Sequence, residues 1–358
     1  MYKISKQILK FLIKQKVRYS PIQPLKALTH VPESFLVISH TALGDTLMAT
    51  PAIKSLKLSF PESKIIAVIN EQYVPLLENF KYVDAIYAYS KGFFKILNLS
   101  KKLQKEKPEI SVILHGTYPE DIAISIFSGI RFILKHRIRD EYKNFLSINF
   151  TLEKGHMIEK KLFLIKLLGG RKVVKEMEIG ELENRLLIEK WKSVFAPFCE
   201  KKIIGFQLGA SKLNRIWPPE YFAQLATILN KKMNCFFVLL GVKREKKLAE
   251  RFKKYYSFDN YFDLVGEVNI KELPYVIKNL DLLITPDTGP LHLAIALKVK
   301  TVSLFAVSDP RATGPYQDFH LHRLIFKPEG LKCVNSNKNA MQLIKPEEVL
   351  KEVLYLLD

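Results

Sequence analysis

The chain has 358 residues, of which 48% are hydrophobic and 26% are charged, so it can bury the cores of two domains and is not a disordered chain. The formal net charge of +20 predicts an anionic partner: a nucleic acid, an acidic membrane surface or a phosphorylated substrate. Three separated cysteines, no apolar run of about 20 residues and no signal-peptide pattern argue against a disulfide framework, a zinc site and a membrane span, and predict a cytoplasmic protein.

Residues 1–32 form a basic segment with seven lysine or arginine residues and no acidic residue. Apolar residues recur at helical spacing, with lysines on the remaining face, which is typical of an amphipathic helix in a membrane interface. These apolar residues are Ile4, Ile8, Phe11 and Leu12. A helix docked on the protein's own surface is the alternative. The lack of acidic residues favours a peripheral position at the cytoplasmic face of an inner membrane.

From Phe35 onward, short apolar runs alternate with helical stretches, first over residues 33–180 and again over residues 181–345. Strands are expected at residues 35–39, 64–69, 85–89 and 110–114, and then at 203–208, 235–240, 262–265, 282–284 and 301–305. Such alternation predicts βαβ units and parallel sheets. The fold class is therefore α/β with two Rossmann-like domains, followed by a C-terminal helical segment at residues 346–358.

A first candidate loop, residues 40–45, directly follows the strand at residues 35–39 and ends in Gly44 and Asp45. Ligands of doubly wound sheets bind at the carboxyl ends of the strands, which makes Asp45 a candidate catalytic residue. Aspartate is also among the best N-cap residues, so a purely structural cap explains it as well. A weak phosphate-binding loop is a further alternative, although the sequence lacks a G-x-G-x-x-G pattern.

A second candidate loop, residues 209–218, combines a small-residue turn with Lys212 and Arg215. Guanidinium groups bind phosphate through two parallel hydrogen bonds, so this loop is suited to an anion held at the strand end. The alternative is a solvated loop in which Trp217 belongs to the core.

A third candidate loop begins at Thr285, after the strand at residues 282–284. Asp287 or Thr288 is expected to cap a helix, and Gly289 and His292 lie in its first turn. The free N–H groups of a helix N-terminus bind anions. An isolated histidine is more often structural than catalytic. His292, however, belongs to a segment that follows a strand end, as the other two candidate loops do.

Metal ligation is not expected, because the sequence has no D-x-D carboxylate pair and no histidine or cysteine cluster at metal spacing. A phosphorylated ligand would be neutralised by helix N–H groups and basic side chains instead. No cofactor is predicted.

In this order and spacing the three loops resemble glycosyltransferase family nine, the bacterial lipopolysaccharide heptosyltransferases. The resemblance extends from about residue 35 to residue 315. Its pieces are Leu43-Gly44-Asp45 with Thr50-Pro51-Ala52 and Leu56-Lys57, Gly209-Ala210 with Arg215-Ile216-Trp217-Pro218 and Glu220, and Asp287-Thr288-Gly289-Pro290-Leu291-His292-Leu293-Ala294 with Ala296-Leu297, Asp309-Pro310 and Gly314-Pro315.

The resemblance implies a GT-B fold, in which two Rossmann-like domains face a central cleft, and an inverting, metal-independent sugar transfer. The expected donor is a nucleotide sugar such as ADP-heptose, and the expected acceptor is a lipopolysaccharide core or a related anionic glycolipid. Asp45 matches the general base of the family, and Arg215 matches the position that contacts the donor phosphates. Thr288, Gly289 and His292 match the segment around the diphosphate.

The sequence departs from the family at Ser39, where the family has arginine or lysine, and at Lys243, where a glutamate holds the donor ribose; Glu245 follows two residues later. The complete donor-binding set is Lys212, Arg215, Lys243, Glu245, Asp287, Thr288, Gly289 and His292, with His40 and Thr41 on the acceptor side. The departures leave a non-catalytic GT-B protein that binds an anionic glycolipid as the alternative. Nucleic-acid binding is not expected, because no such motif accompanies the charge.

Overall fold

The computed structural model describes residues 2–136, 140–148, 152–333 and 339–358. The chain divides into two compact units, which we call unit 1, Met1–Gly180, and unit 2, Glu181–Asp358. Each unit contains one parallel β-sheet with helices between successive strands.

Unit 1 follows the alternation of apolar runs and helical stretches that the sequence predicts. Its strands are β1 Ser34–Ser39, β2 Lys64–Asn70, β3 Ala85–Tyr89, β4 Ile110–His115 and β5 Phe132–Lys135. Its helices are α1 Tyr2–Tyr19, α2 Leu43–Leu47, α3 Thr50–Ser59, α4 Phe93–Glu106, α5 Glu120–Phe127 and α6 Met157–Leu167. The strand order is β3-β2-β1-β4-β5, and all neighbours pair in parallel.

The centre of this sheet is buried on both faces, which suits the unbroken apolar run of β1. The chain proceeds from β1 to β2 and β3 on one side, and β4 then pairs with the other edge of β1. Such a reversal of strand order is a topological switch point, and it leaves a crevice at the carboxyl ends of β1 and β4.

Unit 2 repeats this architecture with six strands. They are β6 Lys202–Gln207, β7 Cys235–Leu240, β8 Tyr261–Asp263, β9 Leu282–Pro286, β10 Lys300–Phe305 and β11 His322–Phe326. The helices are α7 Arg185–Phe195, α8 Pro219–Lys232, α9 Lys246–Tyr255, α10 Leu273–Lys278, α11 Gly289–Ala296, α12 Pro310–Thr313 and α13 Pro346–Leu357. The order β11-β10-β9-β6-β7-β8 puts the switch point between β6 and β9.

Trp217 belongs to the core of unit 2, as one of the alternatives for its loop proposed. Its side chain is fully buried, and its indole N–H donates a hydrogen bond to the carbonyl of Ile344 at 3.0 Å. The loop after β6 is therefore fixed to the segment that precedes α13.

Helix α1 is docked on unit 1 through one face, as the alternative interpretation of the basic segment described. Leu9 and Ile13 are buried in the core of unit 1, where α1 packs against α5. Ile8 and Phe11 remain 44% and 60% exposed. The side chain of Ile4 lies outside the described residues. Among the helices that the structure describes, none is both long enough and apolar enough to cross a membrane.

Candidate active site

Asp45 lies in the first turn of α2, at the carboxyl end of β1. The N-cap of this helix is Ala42, so the expectation that Asp45 caps the helix is wrong. The Thr41 hydroxyl donates a hydrogen bond to Asp45 Oδ2 at 2.8 Å, and the Asp45 side chain is 21% exposed. Asp45 is therefore held by its neighbour and still reaches solvent.

His115, the last residue of β4, lies directly beside this carboxylate. Its Nε2 is 3.3 Å from Asp45 Oδ1, and its Nδ1 is 2.6 Å from Thr41 Oγ1. The backbone N–H of His40 donates to the His115 carbonyl at 3.1 Å, where the pairing of β1 with β4 shifts register. Thr41, Asp45 and His115 thus form a closed triangle of polar contacts at the switch point.

Lys161 of α6 places a cation next to the triangle. Its side chain is fully buried, and its Nζ donates a hydrogen bond to the backbone carbonyl of Asp45 at 2.8 Å. The Ser39 hydroxyl donates to the same carbonyl at 3.4 Å. Burial lowers the pKa of Lys161 to about 8, although the charge of Asp45 opposes that change.

The charge state of the triangle at neutral pH follows from these surroundings. Burial alone would raise the pKa of the Asp45 carboxyl, but positive charge on His115 and Lys161 and the hydrogen bond from Thr41 lower it below the ordinary 3.8. Burial lowers the pKa of His115 to about 4, against the attraction of Asp45. At pH 7 Asp45 is therefore a carboxylate and His115 is neutral.

Of the two residues assigned to the acceptor side, only Thr41 joins the triangle. His40 is 2% exposed and stacks on Tyr89, with 4.0 Å between ring centroids. Burial lowers the pKa of His40. The His40 ring therefore lies inside unit 1.

In unit 2, the loops after β6 and β9 meet through Arg215 and Asp287. Arg215 Nη1 is 3.0 Å from Asp287 Oδ2 and donates to the Asp287 carbonyl at 3.2 Å. His292 Nε2 is 4.0 Å from Asp287 Oδ1, and both side chains are buried. Asp287 therefore orients Arg215, whose side chain is 24% exposed.

Helix α11 begins at the same point, and its N-cap side chain does not cap it. Thr288 is its N-cap, but the Thr288 hydroxyl contacts the Thr285 hydroxyl at 2.9 Å instead of capping the helix. Thr288 and Gly289 are both half-buried. The first-turn N–H groups are thus available to an anion.

The buried side chain of Glu245 lies against the loop after β6, whereas the side chains of Lys212 and Lys243 are exposed. Glu245 Oε2 accepts a hydrogen bond from the Val242 N–H at 2.8 Å, and burial raises the pKa of this carboxyl. Gly209 lies against the carboxylate so closely that a Cβ there would be 1.9 to 2.3 Å from its atoms. Only glycine permits this approach.

Sequence reasoning missed His115, Lys161 and His136. His115 had a signal, because it follows a predicted strand at the edge where the first loop lies. Lys161 had none, since it is one lysine in a lysine-rich helix. His136 follows the unpredicted edge strand β5, and its ring centroid is 6.2 Å from that of His115.

Within the described ranges, no group of three or more His, Cys, Asp or Glu side chains is arranged to hold a metal ion. The polar residues of both sheet edges act through hydrogen bonds and ion pairs.

Comparison with known proteins identifies the family. The family model described as glycosyltransferase family 9 (heptosyltransferase) matches residues 134–342, more than half of the chain. Lipooligosaccharide heptosyltransferase 2 of Campylobacter jejuni is 25% identical over 346 residues, which cover 93% of this chain and 98% of that protein.

Solved structures share the fold. A glycosyl transferase family 9 protein from Veillonella parvula superposes with a TM-score of 0.79 at 20% identity, covering 91% of this chain and 98% of that one. The ADP-heptose LPS heptosyltransferase II of Escherichia coli gives a TM-score of 0.74 at 20% identity, covering 90% and 98%. The predicted GT-B fold class, with its two Rossmann-like sheets, is confirmed. The chain belongs to glycosyltransferase family 9, the heptosyltransferase family, and is a glycosyltransferase.

Proposed function

We propose that this enzyme transfers a heptosyl group from ADP-heptose to a hydroxyl group of a lipopolysaccharide core or a related anionic glycolipid. The names of the Campylobacter jejuni and Escherichia coli proteins support this substrate pair. A similarity that covers nearly the whole length of both relatives supports a shared activity.

One observation carries the catalytic part of the proposal: an ionised, solvent-accessible carboxylate at the switch point of unit 1. Asp45 accepts a hydrogen bond from Thr41 and faces His115, so its orientation is fixed. A base with a low pKa removes a proton only when the attacking oxygen has already begun to form its new bond. Asp45 therefore acts late in the reaction, and its position matters more than its basicity.

Arg215 and the N-terminus of α11 receive the diphosphate of the donor. The ion pair with Asp287 uses Nη1 of Arg215, and its Nε and Nη2 are suited to phosphate oxygens. The amides of Thr288 and Gly289 add partial positive charge. Lys212 and Lys243 are exposed cations on the neighbouring loops, and Glu245 is a candidate for a donor hydroxyl group.

The reaction is a single in-line displacement that inverts the anomeric centre. The acceptor oxygen forms a bond to the anomeric carbon while the bond from that carbon to the diphosphate oxygen breaks. Asp45 takes the hydroxyl proton, and the electron pair leaves with the nucleoside diphosphate. Arg215 and the α11 amides stabilise that departing charge without a metal ion.

A non-catalytic glycolipid-binding protein is the competing function, and two contacts weigh against it. Ser39, which replaces a basic residue of the family, donates to the Asp45 carbonyl, and the buried Lys161 supplies a cation there. Glu245 lies against Gly209 although Lys243 occupies the expected glutamate position. The contacts of Lys161 and Glu245 thus compensate for the two departures from the family sequence, at Ser39 and Lys243.

The proposal is tested with purified full-length chain, a heptose-deficient core oligosaccharide and ADP-heptose. We expect mass spectrometry to show addition of one heptose, NMR to show inversion of the anomeric configuration, and excess EDTA to leave the rate unchanged. ADP-glucose tests the specificity for the sugar, and UDP-glucose, compared with ADP-glucose, tests the specificity for the nucleotide. Donor binding with neither transfer nor hydrolysis would identify a binding protein instead, and loss of activity in EDTA with rescue by magnesium would overturn metal independence.

We also infer that α1 binds an anionic membrane surface through its outward face. Ile8, Phe11, Lys14 and Arg18 are exposed at helical spacing, opposite the buried Leu9. Exposed apolar residues beside cations are the composition of interfacial helices. The acceptor is a membrane lipid, so this face would keep the enzyme near its substrate.

A further inference from the structure

The triangle of Thr41, Asp45 and His115 has three close contacts and, at neutral pH, only two protons to fill them. The contacts are 2.8 Å from Thr41 Oγ1 to Asp45 Oδ2, 2.6 Å from Thr41 Oγ1 to His115 Nδ1, and 3.3 Å from His115 Nε2 to Asp45 Oδ1. The Thr41 hydroxyl has one proton, a neutral imidazole has one, and a carboxylate has none.

The positions of the two protons follow from donor and acceptor chemistry. An ionised carboxylate can only accept, and its contact with Thr41 at 2.8 Å is a good hydrogen-bond distance, whereas its contact with His115 Nε2 at 3.3 Å is long, so the Thr41 proton lies in the bond to Asp45. Thr41 Oγ1 then has no proton for the 2.6 Å contact, and His115 Nδ1 must donate there. His115 is therefore the Nδ1–H tautomer, and its Nε2 presents a lone pair toward Asp45 Oδ1.

We propose that the space between His115 Nε2 and Asp45 Oδ1 is the site that holds the proton taken from the acceptor hydroxyl. This inference deepens the proposed function and rests on Asp45 as its base. The Asp45 carboxylate receives the proton from the hydroxyl while the acceptor oxygen bonds to the anomeric carbon and the diphosphate departs. The proton then bridges Oδ1 and Nε2, and all three contacts of the triangle become hydrogen bonds.

The charged groups around His115 explain why the proton is shared instead of residing on the imidazole. The titratable groups that face His115 are Asp45, Lys161 of α6, Lys135 of β5, His136 after β5 and His40 after β1. Lys135 is paired with Asp121 of α5, whereas Lys161 donates to the backbone carbonyl of Asp45. A separate positive charge on His115 is disfavoured beside that cation, and a proton shared with Asp45 avoids it.

His115 is thus a positioning residue that acts through Asp45. The proton site requires Nδ1–H in the resting enzyme, which is the minor tautomer of free histidine.

The first test is nitrogen NMR of the full-length chain labelled with ¹⁵N-histidine, and the His115 signals are assigned by their loss in His115→Gln. We expect neutral His115 with its proton on Nδ1 at pH 7. A proton on Nε2 would mean that the site is already filled and would overturn the proposal. This readout needs no activity, so its result stays separate from any failure of the proposed sugar transfer.

The second test uses His115→Asn, which approximates the Nδ1 contact with Thr41 but lacks the Nε2 position. We expect kcat to fall about 10- to 100-fold, the rate equivalent of one charge-assisted hydrogen bond, with KM for ADP-heptose unchanged. In an Asp45→Asn background the same substitution should change kcat less than about twofold, because the two residues act as a unit. An unchanged kcat, or an equal loss in both backgrounds, would refute the shared proton. His115→Ala, which also lacks the Nε2 position, gives the same comparison if His115→Asn does not fold.

Discussion

The carboxyl edges of the two sheets have the same architecture and opposite chemistry. At the β1–β4 edge of unit 1, neighbouring positive charges and Thr41 lower the pKa of Asp45 against the effect of burial, and burial lowers the pKa of His115 to about 4. At the β6–β9 edge of unit 2, Asp287 holds the guanidinium of Arg215, and the first amides of α11 supply partial positive charge.

This difference indicates that the parallel sheet determines where the candidate site lies, whereas the loop residues determine its chemistry. In both units a switch point opens at the carboxyl ends, and the residues just after the strands decide what it does. Unit 1 has side chains whose proton can move, which suits deprotonation of an acceptor. Unit 2 has a guanidinium and backbone N–H groups that donate hydrogen bonds, which suits a diphosphate.

The largest effect is expected for Asp45→Asn. We expect kcat to fall by about 10²- to 10⁴-fold, the typical scale of a lost general base. Asparagine keeps the shape of the side chain and can still contact Thr41, so circular dichroism should be unchanged, whereas the unfolding midpoint should fall because the buried Lys161 loses a neighbouring negative charge. Affinity for ADP, measured by calorimetry, should also be unchanged if proton chemistry resides in unit 1 alone. Near-normal transfer by the folded variant would remove Asp45 from catalysis.

Arg215→Ala addresses the other edge. We expect binding of the ADP product to weaken by roughly 1.5–3 kcal/mol, about 10- to 150-fold, because a charge-assisted contact is lost. Part of that loss reflects Asp287, which would remain buried without its partner.

Arg251→Ala is the matched control for this loss, since it removes an exposed arginine that pairs with Glu220 on the surface of unit 2. The control should bind ADP normally. Equal affinities in calorimetry for wild type and Arg215→Ala would show that the diphosphate lies elsewhere.

A smaller effect concerns the acid stability of unit 1. Burial, with the charges of Lys161 and His115, lowers the pKa of His136 to about 3 from its ordinary 6.5. Between these values the unfolded chain binds more protons than the folded chain, so stability falls as pH falls from 6.5 toward 3. The cost is up to about 1.4 kcal/mol per pH unit, or roughly tenfold in the unfolding constant.

His136→Gln removes this titration and should flatten the dependence of the urea midpoint on pH between 6.5 and 4. His320→Gln, at an exposed position of unit 2, is the control and should follow wild type. If His136→Gln lost stability as steeply as wild type, the acid sensitivity of unit 1 would come from other groups.

Much of this arrangement could be predicted from sequence because it depends on local patterns. Apolar runs bounded by turn residues marked nine of the strands, and the three loops after strands contained Asp45, Arg215 and Thr288. The edge strands β5 and β11 were missed. β5 is only four residues long, and the apolar run of β11, His322–Phe326, begins with a histidine and an arginine, so neither strand has a clear apolar pattern.

The contacts that complete the first site could not be predicted in the same way. Lys161 is 116 residues from Asp45, and nothing in its own helix distinguishes it from the lysines nearby. Its burial depends on how α6 packs against α3, which is a property of the folded unit. The same limit applies to α1, where the spacing of Ile8 and Phe11 did not show that Leu9 and Ile13 would be the buried pair.

The smallest effect is expected for vesicle binding by the outward face of α1. Deleting residues 1–28 would remove Leu9 and Ile13 from the core of unit 1, so point substitutions are the better test.

Replacing Ile8 and Phe11 by serine should reduce binding to vesicles that contain acidic lipid by roughly threefold to tenfold, since these side chains would enter the interface only in part. Replacing Lys14 and Arg18 by glutamate should do the same at low salt and lose its effect at high salt, because each charge contributes about 1 kcal/mol near an anionic surface. The matched controls are Phe319→Ser, an exposed aromatic residue of unit 2, and the exposed pair Lys101 and Lys102 of α4 changed to glutamate. Flotation of the full-length proteins with acidic and neutral vesicles measures all of them. If the α1 variants float as wild type does, or the controls lose as much binding as they do, the helix is docked on unit 1 and has no membrane role.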